Sequence, residues 1–347
     1  MLYKLGQLVK YSNSKINTNN LNPSKYISTE NMLPNIQGIV KSSNVPENIN
    51  VCKFENSNIL LSNIRPYFHK LYFPTFTGGC SNDVLCFNVI DSQLTLPKYL
   101  YYMMSTTSFI DYVVSTSKGT KMPRGDKNAI LDYTFNVVPF DQQLLIVDII
   151  GSLDDKIENN NKIINKLWQK LQLIHTDFKS KNELVEKNIL ELADIKYGKG
   201  IPTSEILKDG LYSVYGSNGI IGYLNNYTFK EHKIAISCRG NSSGIIHLTD
   251  ENSTVTSNSL VLDFKNFDYT YYFFLEFMYK GLYEYKTGSA QPQITIDNLK
   301  ILNLQVPKNI NDYIKNINNS VEYTFCLKKE NQKLFLLKQF YLKKFFG

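Results

Sequence analysis

The chain has 347 residues, 43% of them hydrophobic, enough to build two domains with cores of their own. No apolar run reaches the roughly 18–20 residues of a membrane-spanning helix and residues 1–10 lack the apolar stretch of a signal peptide, so no membrane partner and a cytoplasmic location are expected. Five cysteines without a C-x-x-C pair read as reduced thiols, not as a disulfide frame or zinc site, and the net charge of +7 permits a nucleic-acid partner without requiring one.

In chain order, the runs 58–64 and 84–90 read as strands bounded by Gly, Asn and Ser turns, and the aromatic-rich stretches 96–105 and 108–115 as helices. Gly119-Thr120-Lys121-Met122-Pro123-Arg124 then leads into 131–139, a strand ending in Val138-Pro139. From 141 to 181 apolar residues recur in alternating steps of four and three. Ile146, Ile150, Leu153, Ile157, Ile164, Leu167, Leu171, Ile174 and Phe178 fill the series, and Asn160 interrupts it. Pro139 precedes the first turn and Asp141 can cap it. Such a helix would be roughly 55–60 Å long, a spacer rod needing a partner helix. The second half repeats the mixture: strands at 233–238 and 259–264, and a helix at 269–286. Residues 210–222, with Tyr215-Gly216-Ser217-Asn218-Gly219, suit a tight loop. From 309 to 346, Ile314, Ile317, Val321, Leu327, Leu334, Leu337, Tyr341 and Phe345 form a less regular partner seam, with Phe325 where the stepping slips. Asn160 and Asn331 are either register-fixing polar seam residues or simply solvated.

The two halves repeat one another. Gly119 to Arg124 before a Val-Pro strand and a long helix matches Gly288-Ser289-Ala290-Gln291-Pro292-Gln293 before Leu304-Gln305-Val306-Pro307 and the second long helix. Ile59-Leu60-Leu61-Ser62 followed by Arg65 resembles Ile234-Ala235-Ile236-Ser237 followed by Arg239. Ser81-Asn82 likewise resembles Ser257-Asn258, and residues 5–11 resemble 192–197. The expected order is an α+β domain at 1–140, a long helix at 141–185, an α+β domain at 186–307 and a long helix at 308–347.

This arrangement resembles the specificity subunit of type I restriction-modification systems over essentially the whole chain. The likeness rests on the half-repeats, the G-[ST]-x-x-P-[RQ] stretches, the Val-Pro strands, the two long helices, Tyr215 to Gly219 and Thr287 to Gln291. It implies two target-recognition domains, each reading one part of a split, asymmetric duplex DNA site. It also implies antiparallel coiled-coil helices between them in a pseudo-twofold repeat, and docking of two methyltransferase subunits and of restriction subunits. S-adenosylmethionine, ATP and magnesium would be bound by those partners. The chain itself has no G-x-x-x-x-G-K-[ST] phosphate loop, no glycine-rich cofactor fingerprint and no Asn-Pro-Pro-aromatic stretch, so no chemistry is expected of it. His69, His175, His232 and His247 are scattered without a ligand pattern.

Only three of the 38 basic residues are arginines: Arg65, Arg124 and Arg239, all beside turns in the globular halves. A guanidinium fork can make two hydrogen bonds to a guanine edge or a phosphate, and a structural ion pair or stacking on an aromatic ring is the equal alternative for each. Lys118, Lys121 and Lys127 flank Arg124 and suit phosphates; Asn218, Asn241, Gln291 and Gln293 suit adenine edges or their own backbone. Trp168 on the central helix is either an exposed anchor for the methyltransferase or a core residue. A scaffold whose globular halves bind protein or RNA is the competing reading, and the recognition portion of a split or fused restriction enzyme a third.

Overall fold

A computed structural model describes every residue except Ser289 and Ala290, and the backbone but not the side chain of Asn241. The chain forms two compact units, Met1–Glu158 with Asn331–Gly347, and Asn159–Glu330. The helix Phe140–Lys181, 42 residues long, and the helix Asn311–Phe346, 36 residues long, each contribute to both units. No helix among the described residues is long and apolar enough to cross a membrane.

In the first unit Leu2–Lys4 pairs antiparallel with Thr134–Asn136. A four-stranded sheet follows in the order Val9–Tyr11, Val84–Val89, Ile59–Ser62, Leu71–Tyr72. Strand side chains alternate between faces, so Ile59, Leu61, Leu85 and Phe87 turn toward the helices Pro97–Met104 and Thr107–Ser115. Leu60, Val84 and Cys86 turn the other way, against Phe54, Cys52 and Cys80 of a second sheet. Burial on both faces explains why Ile59 to Leu61 reads as an unbroken apolar run.

The second unit repeats this plan. Leu184–Asn188 pairs antiparallel with Asn303–Pro307, and the sheet order is Ala193–Tyr197, Ser259–Phe264, Ile234–Ser237, Ile246–Leu248. Ile234, Ile236, Leu260 and Leu262 pack on Tyr272 and Phe273 of the helix Asp268–Lys280. That helix is shorter than the expected 269–286, because Gly281 ends it at φ 72°. The glycine-rich stretch is not a loop but a β-hairpin, Tyr212–Gly216 with Gly219–Leu224, and only Ser217 and Asn218 turn.

Backbone hydrogen bonds fix the equivalence of the halves. Asn63 N–H donates to Asp83 O at 2.8 Å as Cys238 N–H donates to Asn258 O at 3.0 Å; Gly125 N–H donates to Asn63 O as Ile294 N–H does to Cys238 O. Arg239 therefore corresponds to Ile64, and Arg65 to Gly240. The turn closures Val84 N–H to Ser81 O and Ser259 N–H to Thr256 O, both 3.0 Å, equate Ser81 with Thr256. The matches drawn from sequence at Arg65 and at Ser81-Asn82 are thus one residue out of register.

Within the second unit the long helices run antiparallel. Asn160 Nδ2 donates to Glu330 Oε2 at 2.7 Å, while fifteen residues further along His175 Nδ1 lies 2.8 Å from the Tyr313 hydroxyl. Asn160 is fully buried, which makes it a seam residue. In the first unit Ile146 and Ile150 share a core with Leu342, and Lys338 donates to Asp154 Oδ1 at 2.6 Å. The C-terminal seam departs from expectation there: Leu337 is 41% exposed and Lys338 only 9%. Trp168 is half-buried, edge-on to Phe274 at 5.5 Å and beneath the Lys328 ammonium at 5.6 Å, not the exposed residue expected of an anchor.

Candidate nucleic-acid interface

In the first unit the segment after the helices closes on itself. Lys118 and Arg124 exchange backbone hydrogen bonds, both 2.8 Å, around a turn that Gly119 enters at φ 94°. The closed loop then joins the strand end: Ile64 bridges to Arg124, and Arg65 N–H donates to Pro123 O at 2.8 Å. These bonds bring Arg65, Lys118, Lys121 and Arg124 to one surface, with Lys127 opening the next helix, and all five side chains are exposed. Arg124 Nη2 lies 3.0 Å from Asp83 Oδ1, so an ion pair does hold this arginine. Lys118 Nζ meets Asp126 Oδ2 at 2.5 Å, while Asp126 caps the helix Lys127–Asp132. The Lys118 ammonium and then the Ala129 and Asn128 N–H groups hold the Asp126 carboxyl below its ordinary value. Lys127 is placed by its carbonyl, which accepts from the Tyr11 hydroxyl at 2.8 Å.

The second unit builds the same loop from different side chains. Thr287 and Gln293 exchange backbone hydrogen bonds at 2.9 and 2.8 Å, Gly288 takes φ 88°, and Arg239 bridges to Gln293. The hairpin turn joins them, since the Ser242 hydroxyl donates to Asn218 Oδ1 and the Ser237 hydroxyl to Ser217 O. Asn218, Arg239, Gln291 and Gln293 are exposed. The Asn241 side chain, like Ser289 and Ala290 of the motif, lies outside the described residues.

The candidates therefore fall into two groups, one per unit, at the same station of the repeat. Sequence reasoning missed Asp83, which orients Arg124, and the exposed pair Tyr67 and Phe68 on the turn beside Arg65. It also missed Lys286, one residue before Thr287, whose ammonium lies 4.3 Å from the Tyr283 ring centroid. Guanidinium forks and amides can address base edges, and lysines can neutralise phosphates, so each cluster has the donors for duplex DNA. Among the described residues no group of three or more His, Cys, Asp or Glu is placed to hold a metal ion.

Comparison with known proteins gives the same direction. A family model, type I restriction modification DNA specificity domain, matches residues 1–169 and 181–334. The type I restriction enzyme HindI specificity subunit of Haemophilus influenzae is 28% identical over 181 residues, which are 50% of this chain and 39% of that relative, so the match spans about two fifths of the relative's length. The crystal structure of the type I restriction-modification system S subunit from M. genitalium shares the fold, with a TM-score of 0.63 at 17% identity, covering 100% of this chain and 96% of that one. With its α+β units, repeated topology and family match over most of its length, the chain belongs to the type I restriction-modification DNA specificity family.

Proposed function

We propose that the chain is the DNA-reading subunit of a type I restriction-modification complex. Its target-recognition domains, 1–140 and 186–307, each read one part of a split asymmetric site. Its helices, 141–185 and 308–347, dock two methyltransferase subunits, which restriction subunits join. The chain performs no chemistry; S-adenosylmethionine, ATP and magnesium belong to the partners. One observation carries this reading: the two exposed clusters occupy the same place in the repeat yet differ in side chains, Lys118 and Arg124 against Thr287 and Gln293. Equal backbone placement with unequal donors is what two different half-sites require.

Docking belongs to exposed apolar helix residues such as Phe335, Leu336 and Phe340, not to the half-buried Trp168. Methylome sequencing of the host with and without the gene tests the whole reading. The expected result is loss of one bipartite adenine motif on deletion, and an unchanged methylome would remove it.

A further inference from the structure

We propose that the turn 65–69 is the base-reading tip of the first unit. Arg65 addresses a guanine edge, and the Tyr67–Phe68 pair packs against the neighbouring bases. This rests on the DNA-reading function proposed above.

The argument begins with the backbone. Each unit places a one-turn 3-10 helix after the same strand, Pro66–Phe68 after Ile59–Ser62 and Gly240–Ser242 after Ile234–Ser237. The closing hydrogen bonds match: Phe68 N–H to Arg65 O at 3.0 Å and Ser243 N–H to Gly240 O at 2.9 Å. Ser62 N–H to Lys70 O at 3.0 Å and Ser237 N–H to Ile245 O at 2.9 Å match in the same way. Residues 65–69 thus correspond to 240–244.

Both turns need the left-handed region at each end. The second unit meets that need with Gly240 at φ 69° and Gly244 at φ 82°; the first uses Arg65 at φ 48° and His69 at φ 50°. Glycine enters this region without steric cost, whereas a residue with a Cβ is strained there. The same chain therefore shows that the fold is satisfied by glycine at both positions. A side chain kept where glycine is the relaxed solution points to a use for that side chain. The segment clasping the turn is strained too. Asn35 at φ 54° and Ile36 at φ 58° donate to Phe68 O and His69 O, both at 2.9 Å. Four of the six left-handed residues other than glycine among the described residues thus meet at this one place.

The turn carries what a DNA contact requires. Arg65 is exposed and its side chain does not cap the turn. Tyr67 and Phe68 are 47% and 39% exposed, with ring centroids 4.8 Å apart, where the second unit has Ser242 and Ser243. The hydrogen bond from Arg65 N–H to Pro123 O sets this tip against the loop of Lys121 and Arg124. In the major groove an arginine fork selects guanine, and an apolar ring beside it packs against a neighbouring base, as on a thymine methyl.

The test uses the full chain assembled with its methyltransferase subunits, selected against a duplex library with both half-sites randomised, and thermal unfolding of each variant. The wild type should enrich a split motif. Arg65→Gly, the residue of the second unit, should leave the unfolding midpoint unchanged or raised while reducing preference for one guanine in one half-site at least tenfold. Arg65→Lys should lose the same preference although the charge remains. Tyr67→Ser with Phe68→Ser should weaken that half-site alone. Wild-type enrichment by Arg65→Gly and by the double variant would overturn the proposal, as would an Arg65→Gly midpoint lowered like that of a core substitution. Failure of the wild type itself to enrich any motif would instead sink the DNA-reading function, and this inference with it.

Discussion

Glu276 shows how one residue can join three elements of the second unit. Its carboxylate, 8% exposed, receives His175 Nε2 at 2.9 Å and Lys179 Nζ at 2.7 Å from the central helix, and Lys280 Nζ at 2.8 Å from its own. His175 reaches on through its other nitrogen to the Tyr313 hydroxyl of the C-terminal helix. Burial alone would raise the Glu276 carboxyl, but the hydrogen bonds from His175, Lys179 and Lys280 outweigh it and hold the group well below its ordinary value of 4.5. A depressed carboxyl stabilises the fold fully above the unfolded value and loses that contribution as pH falls through the folded one. Glu276→Gln should therefore cost about 1–3 kcal/mol at pH 7, because it takes the charged acceptor away from the partly buried Lys179 ammonium and from His175. The gap from wild type should begin to close below pH 4.5, the ordinary value. Urea unfolding followed by Trp168, the one tryptophan and part of this unit, measures it. A gap that widened on acidification would refute the assignment. None of this was legible in sequence, where His175 was one of four scattered histidines and Glu276 one acid among many. His175 and Lys179 lie about 100 residues from Glu276, and spacing carries no trace of such contacts; only Lys280, four residues on, stands at helical spacing.

At the scale of the element, periodicity located the central helix well because its seam is almost wholly aliphatic. Ile146, Ile150, Ile164 and Leu171 are buried, as their spacing predicts. The C-terminal seam misled at one step, since apolarity was taken as the mark of burial. Leu337 points to solvent, while the Lys338 stem is covered. Its ammonium bonds Asp154 Oδ1 at 2.6 Å and lies 5.7 Å from the Tyr102 ring centroid, and the Tyr102 hydroxyl donates to Asp154 Oδ2 at 3.0 Å. A lysine can bury its methylenes and keep its charge paired, a solution that a hydrophobic pattern cannot register. Lys338→Ala should accordingly destabilise the first unit by about 1–2 kcal/mol, since it loses the packing of the covered stem and one of the two hydrogen bonds to the Asp154 carboxylate. Leu337→Ala should stay within about 0.5 kcal/mol, as surface changes do. Chemical denaturation of the two variants side by side decides the point, and the reverse order would restore the apolar seam drawn from sequence.

Across the whole molecule the repeat was legible because the motifs before each long helix stand at nearly equal spacing. The register at Arg65 and Arg239 was not, because the turns hold different residues and only backbone bonding equates them. Strands with apolar faces were visible, whereas the hairpin Tyr212–Gly216 with Gly219–Leu224 was hidden by its glycines. The cores of the two units are separate sets of residues, one built on Ile59, Phe87 and Tyr102, the other on Ile236, Leu260 and Tyr272. Changes confined to one set should therefore leave the other unaltered, as sites that share no partners are close to additive. That independence makes recognition separable by unit. Replacing 12–135 with the matching segment of a family member exchanges Arg65, Lys118, Lys121, Arg124 and Lys127 together with the strands that place them. It leaves the Asn218, Arg239 and Gln293 cluster intact. The replacement must bring side chains that fit Ile146, Ile150 and Leu342, which the first core shares with the long helices. Given that fit, methylome sequencing should show one half of the split motif replaced by the donor's and the other half unchanged. If both halves changed, the two units would not read independently, and assigning one cluster to each half-site would fail.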